Sequence, residues 1–265
     1  MSANAAPISP ARVAVIQFDP QVGLEHCDNN LCHGLELAEQ AVREGANLIV
    51  LPELANSGYS FNTRAEAWAH AEALADGPSL RIWAAFAREH HVYLVAGFAE
   101  RDGLKLYDSA VLFGPEGLLG HYRKAHLWNQ EKLWFSPGNL GFPVFETPIG
   151  RIGLLICWDI WFPEVPRLLA MTAAHVNNVH IAAANRIGSE RGGRFLGCSL
   201  IAGTNGWPLG EIAGPEDQCI LYADLDLSGA RSAPIWNSLN DLPRDRRTDL
   251  YGSMLGYDLH PALPR

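Results

Sequence analysis

Two short apolar runs bracket one amphipathic helix near the N-terminus, and that rhythm points to an α/β protein. Arg12 to Phe18 reads as a buried strand closed by Asp19-Pro20. A helix is predicted from about Asp28 to Glu44, with Leu31, Leu35, Ala38 and Val42 on one face and Gly45 as its stop. Asn47 to Leu51 follows as a second strand and delivers Pro52-Glu53-Leu54 at its end. Strand–helix–strand is the repeating unit of α/β architecture.

The same reading continues along the chain. Helices are expected over about Thr63 to Leu74 and Ser79 to His91, the second capped by Ser79. Val92 to Ala99, Leu106 to Phe113 and Leu118 to Tyr122 read as consecutive strands, with turns at Arg101-Asp102-Gly103 and Gly114-Pro115-Glu116-Gly117. Val144 to Thr147 and Arg151 to Ile156 flank Pro148-Ile149-Gly150 as a hairpin. A helix is expected near Pro163, and strands over His180 to Asn185, Phe195 to Ala202 and Cys219 to Leu225. The 265 residues suit a single domain over 1–265, with 1–10 as a flexible arm and about 228–265 as an extended tail.

A net charge of −9 argues against a nucleic-acid partner, because phosphates would be repelled. The short basic stretch Arg244-Asp245-Arg246-Arg247 reads as solvated tail or intersubunit contact. Five cysteines show neither a disulfide framework nor a C-x-x-C zinc pair, which fits a reducing cytosol. No run reaches the roughly 18 apolar residues of a membrane helix, and residues 1–10 lack a signal-peptide pattern. A cytoplasmic protein without a membrane partner is expected.

Chemistry concentrates at Cys157. The run Arg151 to Ile156 ends at this cysteine, and Pro163 stands where the next helix would begin. A bend there would place the thiol near a helix N-terminus, which favours thiolate. Taken singly, Cys157 has a bland reading as a small buried hydrophobe. Glu53 alone reads as a salt-bridge partner, and Lys124, beside Arg123, as a surface cation.

Together these residues lie in three ordered patterns: Leu51-Pro52-Glu53-Leu54, Tyr122-Arg123-Lys124-Ala125-His126-Leu127, and Ile156-Cys157-Trp158-Asp159-Ile160-Trp161-Phe162-Pro163-Glu164. Here the chain resembles the nitrilase superfamily of carbon–nitrogen hydrolases. The resemblance extends through the Asn-Ser-Ala-like Asp108-Ser109-Ala110, Ser136-Pro137-Gly138-Asn139 and Ala184-Asn185-Arg186-Ile187-Gly188, covering about Arg12 to Leu225. It implies a four-layer α-β-β-α sandwich and a homodimer or larger homo-oligomer. It also implies Glu53 as general base, Lys124 as oxyanion stabiliser and Cys157 as nucleophile, with Glu131 positioning substrate or Lys124.

Such a trio has physical sense, since a free thiol is mostly neutral at physiological pH and needs a base or cation to activate it. The scheme requires no cofactor and no metal. His126 offers a papain-like alternative base, but the resemblance makes it a structural histidine. Trp158-Asp159 after the nucleophile looks like the amidase and N-carbamoylputrescine amidohydrolase branches, so a small amide or carbamoyl substrate is expected ahead of a nitrile. Tyr59, Trp158 and Trp161 are the candidate substrate-binding residues.

One departure stands out. After Ala170 the chain runs directly into Met171, where family members carry some three dozen further residues including a strand. Either the protein is a short form with an altered pocket, or a segment of the natural chain is missing at this point. If the deletion is real, a catalytically silent relative that binds a small molecule or partner becomes the competing reading.

Overall fold

The computed structural model describes residues 11–162, 174 and 179–227. A six-stranded sheet in the order β12-β1-β2-β3-β4-β5 forms its centre. Its strands are β1 (Ala11–Gln17), β2 (Leu48–Val50), β3 (Tyr93–Asp102), β4 (Lys105–Gly114), β5 (Gly117–Arg123) and β12 (Cys219–Leu225). β1, β2 and β3 are parallel neighbours, whereas β4, β5 and β12 pair antiparallel.

Alternation of side chains splits the strands between two cores. Ala14 and Ile16 of β1, Leu94, Ala96 and Phe98 of β3, and Val111 and Phe113 of β4 pack on one face. That face is covered by α1 (Cys27–Arg43) and α3 (Pro78–His90), through Leu31, Leu37, Trp83 and Phe86. On the opposite face Val13, Val15, Ala110, Leu112 and Tyr122 meet Ile149, Leu154, Ile156 and Ile201. The second layer is made of strand pairs: β6 (Val144–Thr147) with β7 (Gly150–Gly153), and β8 (Ile181–Ala183) with β11 (Leu200–Ala202). A further small hairpin joins β9 (Ser189–Glu190) to β10 (Gly193–Arg194).

Several elements are shorter than the sequence predicts. The run Phe195 to Ala202 pairs only from Leu200, because Gly197 and Cys198 take left-handed φ of 56° and 57°. The run Arg151 to Ile156 stops pairing at Gly153, opposite Val144, where Pro143 on the partner side has no N–H to offer. α2 (Arg64–His70) is capped by Thr63, whose hydroxyl accepts from the Glu66 N–H at 3.1 Å. α3 begins one residue before the expected serine cap: Pro78 takes the first turn, and the Ser79 hydroxyl donates to Glu72 at 2.6 Å.

The arm at 1–10, the helix near Pro163, the Ala170–Met171 junction and the tail at 228–265 lie outside the described residues. Among the described residues no helix is long and apolar enough to cross a membrane.

Candidate active site

Glu53 leaves the sheet just after β2, at the carboxyl end of a parallel strand where open α/β sheets place their sites. The loop that presents it is locked to β3: the Gly97 N–H donates to the Pro52 carbonyl at 3.2 Å, and the Ala55 N–H to the Gly97 carbonyl at 2.9 Å. A side chain at position 97 would put its Cβ 2.7 Å from the Glu53 Cα, so only glycine permits this approach. Leu54 accommodates the sharp turn with a left-handed φ of 49°.

Lys124 follows β5 directly and is fully buried, so its sequence reading as a surface cation fails. Arg123 beside it is buried too. Its guanidinium donates to both Glu100 oxygens, at 2.5 and 3.0 Å, and lies 3.9 Å from the Tyr107 ring centre. Gly138 seals this corner; a Cβ there would fall 2.0 Å from the Arg123 carbonyl oxygen.

The Lys124 ammonium sits among three carboxylates. Its Nζ lies 2.5 Å from Glu53 Oε1, 2.7 Å from Glu131 Oε1 and 3.3 Å from Asp108 Oδ2. Carboxylate oxygens of Glu53, Asp108 and Glu131 lie within 4.8 Å of one another, a spacing that would suit a metal ion, and the ammonium is the cation among them. Glu131 heads the four-residue α4 (Glu131–Trp134), where its Oε2 accepts the Trp128 N–H at 2.7 Å. Its Oε1 also accepts the Tyr59 hydroxyl at 2.5 Å.

Cys157 opens a 3-10 turn, Cys157–Trp161, with a left-handed φ of 45° that is uncommon for a residue bearing a Cβ. It is exposed to the cleft, whose wall it shares with Glu53. Asp159, fully buried, holds the turn in place. It accepts the Tyr122 hydroxyl at 2.7 Å, the His126 N–H at 2.9 Å, and the Ile156 N–H at 3.3 Å. His126 pairs its Nδ1 with Asp159 at 2.8 Å and stacks on Phe162 at 3.8 Å, geometry that fits a structural histidine.

Electrostatics divide the roles. Burial pushes the Glu53 carboxyl up, but the Lys124 ammonium and the bonds from Asp108, Lys124 and Cys157 outweigh it and hold it below its ordinary value. Burial in the cleft walls, then the Glu53 charge, push the Cys157 thiol well above its ordinary value. The helix whose N-terminus was expected to favour thiolate lies outside the described residues, and within them burial and the Glu53 charge act on the thiol in the opposite direction. Burial draws Lys124 down, yet Glu53, Asp108, Cys157 and Glu131 more than compensate and keep it charged.

Of the expected substrate-binding residues, Trp161 lines the cleft beside Glu53 and Cys157. Tyr59 turns its hydroxyl to Glu131 and its ring edge to Phe195, at 5.6 Å between centres. Trp158 packs between Trp128 and Trp161, at 4.2 and 5.1 Å. Sequence reasoning assigned no site role to Asp108 or Asp159. Asp108 entered the sequence reading only within the Asp108-Ser109-Ala110 pattern, and Asp159 only within the Trp158-Asp159 pair that distinguishes amide from nitrile branches.

The family model for carbon-nitrogen hydrolases matches residues 12–177. A nitrilase of Pyrococcus abyssi is 39% identical over 262 residues, covering 91% of this chain and 98% of that protein. An N-carbamoylputrescine amidase of Solanum tuberosum is 31% identical over 300 residues, covering 93% of this chain and 95% of that protein. That alignment is longer than the 265 residues here, so it includes positions of the relative with no counterpart in this chain. The crystal structure of a carbon–nitrogen hydrolase from Helicobacter pylori G27 superposes with a TM-score of 0.80 at 26% identity, covering 93% of this chain and 99% of that one. The chain thus belongs to the carbon–nitrogen hydrolases of the nitrilase superfamily, an enzyme family built on the α-β-β-α sandwich.

Proposed function

We propose that the protein hydrolyses a small linear amide or N-carbamoyl amine through a thioester on Cys157. The observation that carries this reading is the contact set around Lys124: its Nζ touches Glu53 at 2.5 Å and Glu131 at 2.7 Å, and Glu53 shares the cleft wall with Cys157.

Glu53 takes the thiol proton as Sγ attacks the carbonyl carbon, and the carbonyl electron pair moves to oxygen. Lys124 Nζ and the Trp158 N–H receive that charge. The Trp158 N–H is suited to this because the first bond of its turn begins later, from the Asp159 N–H to the Ile156 carbonyl at 3.1 Å. Collapse breaks the C–N bond, and Glu53 returns its proton to the departing ammonia or amine. Glu53 then deprotonates water, which attacks the thioester and releases the acid and the thiol. General acid–base catalysis of this kind contributes roughly 100- to 10,000-fold, and one oxyanion donor about 3–4 kcal/mol. Glu131 keeps Lys124 aimed at the cleft, and Trp161 walls the substrate. The site's chemistry needs no cofactor, and a homodimer or larger homo-oligomer is part of the reading.

Nitrile hydrolysis is the second reading, favoured by the nitrilase from Pyrococcus abyssi among its relatives. Trp158-Asp159 after the nucleophile favours amides. Ammonia release over amides, N-carbamoyl amines and nitriles, with Cys157→Ala as control, separates them. Release from the first two classes supports the proposal, and release from nitriles alone supports the second reading. A folded protein silent on all three would instead be a binding relative.

A further inference from the structure

Asp108 is the one carboxylate of the site without an evident occupation. It points from β4 into the cluster, is fully buried, and neither of its oxygens meets a hydrogen-bond donor in acceptable geometry among the described residues. The Lys124 ammonium stands off at 3.3 Å, because its close contacts go to Glu53 and Glu131. A buried ionised carboxylate left in this condition is strongly unfavourable, so such groups acquire a donor or give up their charge.

The charge count points the same way. Glu53, Asp108 and Glu131 face one cation, so full ionisation would leave two uncompensated negative charges, and a third once Cys157 lost its proton. Carboxylate oxygens of Glu53 and Asp108 lie within 4.8 Å of each other, and two carboxylates can bond only through a proton on one of them. The groups facing Asp108 come from every neighbouring element. They are Glu53 after β2, Lys124 after β5, Glu131 on α4 with Tyr59 behind it, and Cys157 on its turn, with Tyr122 and Asp159 further out.

We propose that Asp108 is a positioning residue for the hydrolysis set out above: it carries a proton in the resting enzyme and donates it in a hydrogen bond to Glu53, keeping Glu53 anionic and turned toward Cys157. Burial and then the Glu53 charge push the Asp108 carboxyl well above its ordinary value while Glu53 is held below its own, the divergence expected of a pair sharing one proton. Raising the pH until Asp108 ionises places a second anion against Glu53. The site then loses its donor, and kcat/KM falls on the alkaline side.

Two variants and one spectrum test this. Asp108→Asn keeps an N–H donor toward Glu53 and cannot ionise, whereas Asp108→Ala removes the donor. Infrared spectra of the resting enzyme at neutral pH are expected to show the carbonyl stretch of a neutral carboxylic acid that is absent from Asp108→Asn. Labelling aspartate isotopically in the wild-type protein is expected to shift the same band, which keeps the test open if the variant fails to fold. In turnover, Asp108→Asn is expected within about threefold of wild type at neutral pH, with its alkaline limb displaced upward, and Asp108→Ala about tenfold or more lower in kcat.

An aspartate-insensitive spectrum, or an Asp108→Asn profile that overlays the wild type, would overturn the proposal. The inference rests on the hydrolase reading only for its kinetic arm. A labelled acid band in a protein that turns over no substrate would support the proton on Asp108 and remove its role in hydrolysis.

Discussion

The Tyr122 hydroxyl donates to Asp159 at 2.7 Å, tying the strand that delivers Lys124 to the turn that carries Cys157. Tyr122 is fully buried, and its thirty-seven-residue separation from Asp159 makes this a tertiary clamp. Tyr122→Phe leaves one oxygen of a buried carboxylate short of a donor, at an expected cost of about 1–3 kcal/mol in urea unfolding. Because the clamp sets the distance between cation and thiol, kcat is expected to fall by roughly 10- to 100-fold with KM changed less. Full activity in a destabilised variant would show that the clamp supports the fold alone.

Lys124→Met removes the cation among Glu53, Asp108 and Glu131. Glu53 in the native protein is held below its ordinary value, so its stabilising contribution is present above the unfolded value and lost as pH falls. Without Lys124, burial dominates at Glu53 as it already does at Asp108 and Glu131, and the Glu53 carboxyl rises above its unfolded value, so the variant loses stability as pH rises past about 4. The gap to wild type is therefore expected to be small in acid and about 3–5 kcal/mol at neutral pH, read from denaturant unfolding across that range. A gap that stays constant with pH would contradict the burial of charge at this site.

Gly97→Ala tests the approach of β3 to the base. The added Cβ would meet the Glu53 Cα at 2.7 Å and the Pro52 carbonyl oxygen at 2.8 Å, both backbone atoms that cannot swing aside. The Glu53 loop must shift, and a displacement of about 1 Å there is expected to lower kcat by around 100-fold. Steady-state kinetics on a folded variant with unchanged activity would show that the loop relaxes freely.

Legibility in the sequence followed the range of the interactions involved. The apolar runs of Ala11–Gln17 and Leu48–Val50 act locally, so the sheet and the emergence of Glu53 from it were readable. The second layer was less so, since left-handed residues at Gly197 and Cys198 break a run whose composition alone reads as continuous strand. Asp159 was hidden because its partners Tyr122 and His126 come from a distant segment. The bond from Tyr59 to Glu131 was not legible either, since it runs through a loop that follows the turn at Leu54. The setting of the Cys157 thiol was out of reach for the same reason: burial and then the Glu53 charge push it above its ordinary value, and neither is written in the residues flanking it.

Acylation of Cys157 during turnover is the most direct measurement of the mechanism. The enzyme would be mixed with a turned-over amide, quenched in acid within the first turnovers and digested for mass spectrometry. The expected result is a mass increase equal to the substrate's acyl group on the Cys157 peptide in wild type, with no increase and no ammonia release in Cys157→Ala. Steady ammonia release from Cys157→Ala would contradict the account.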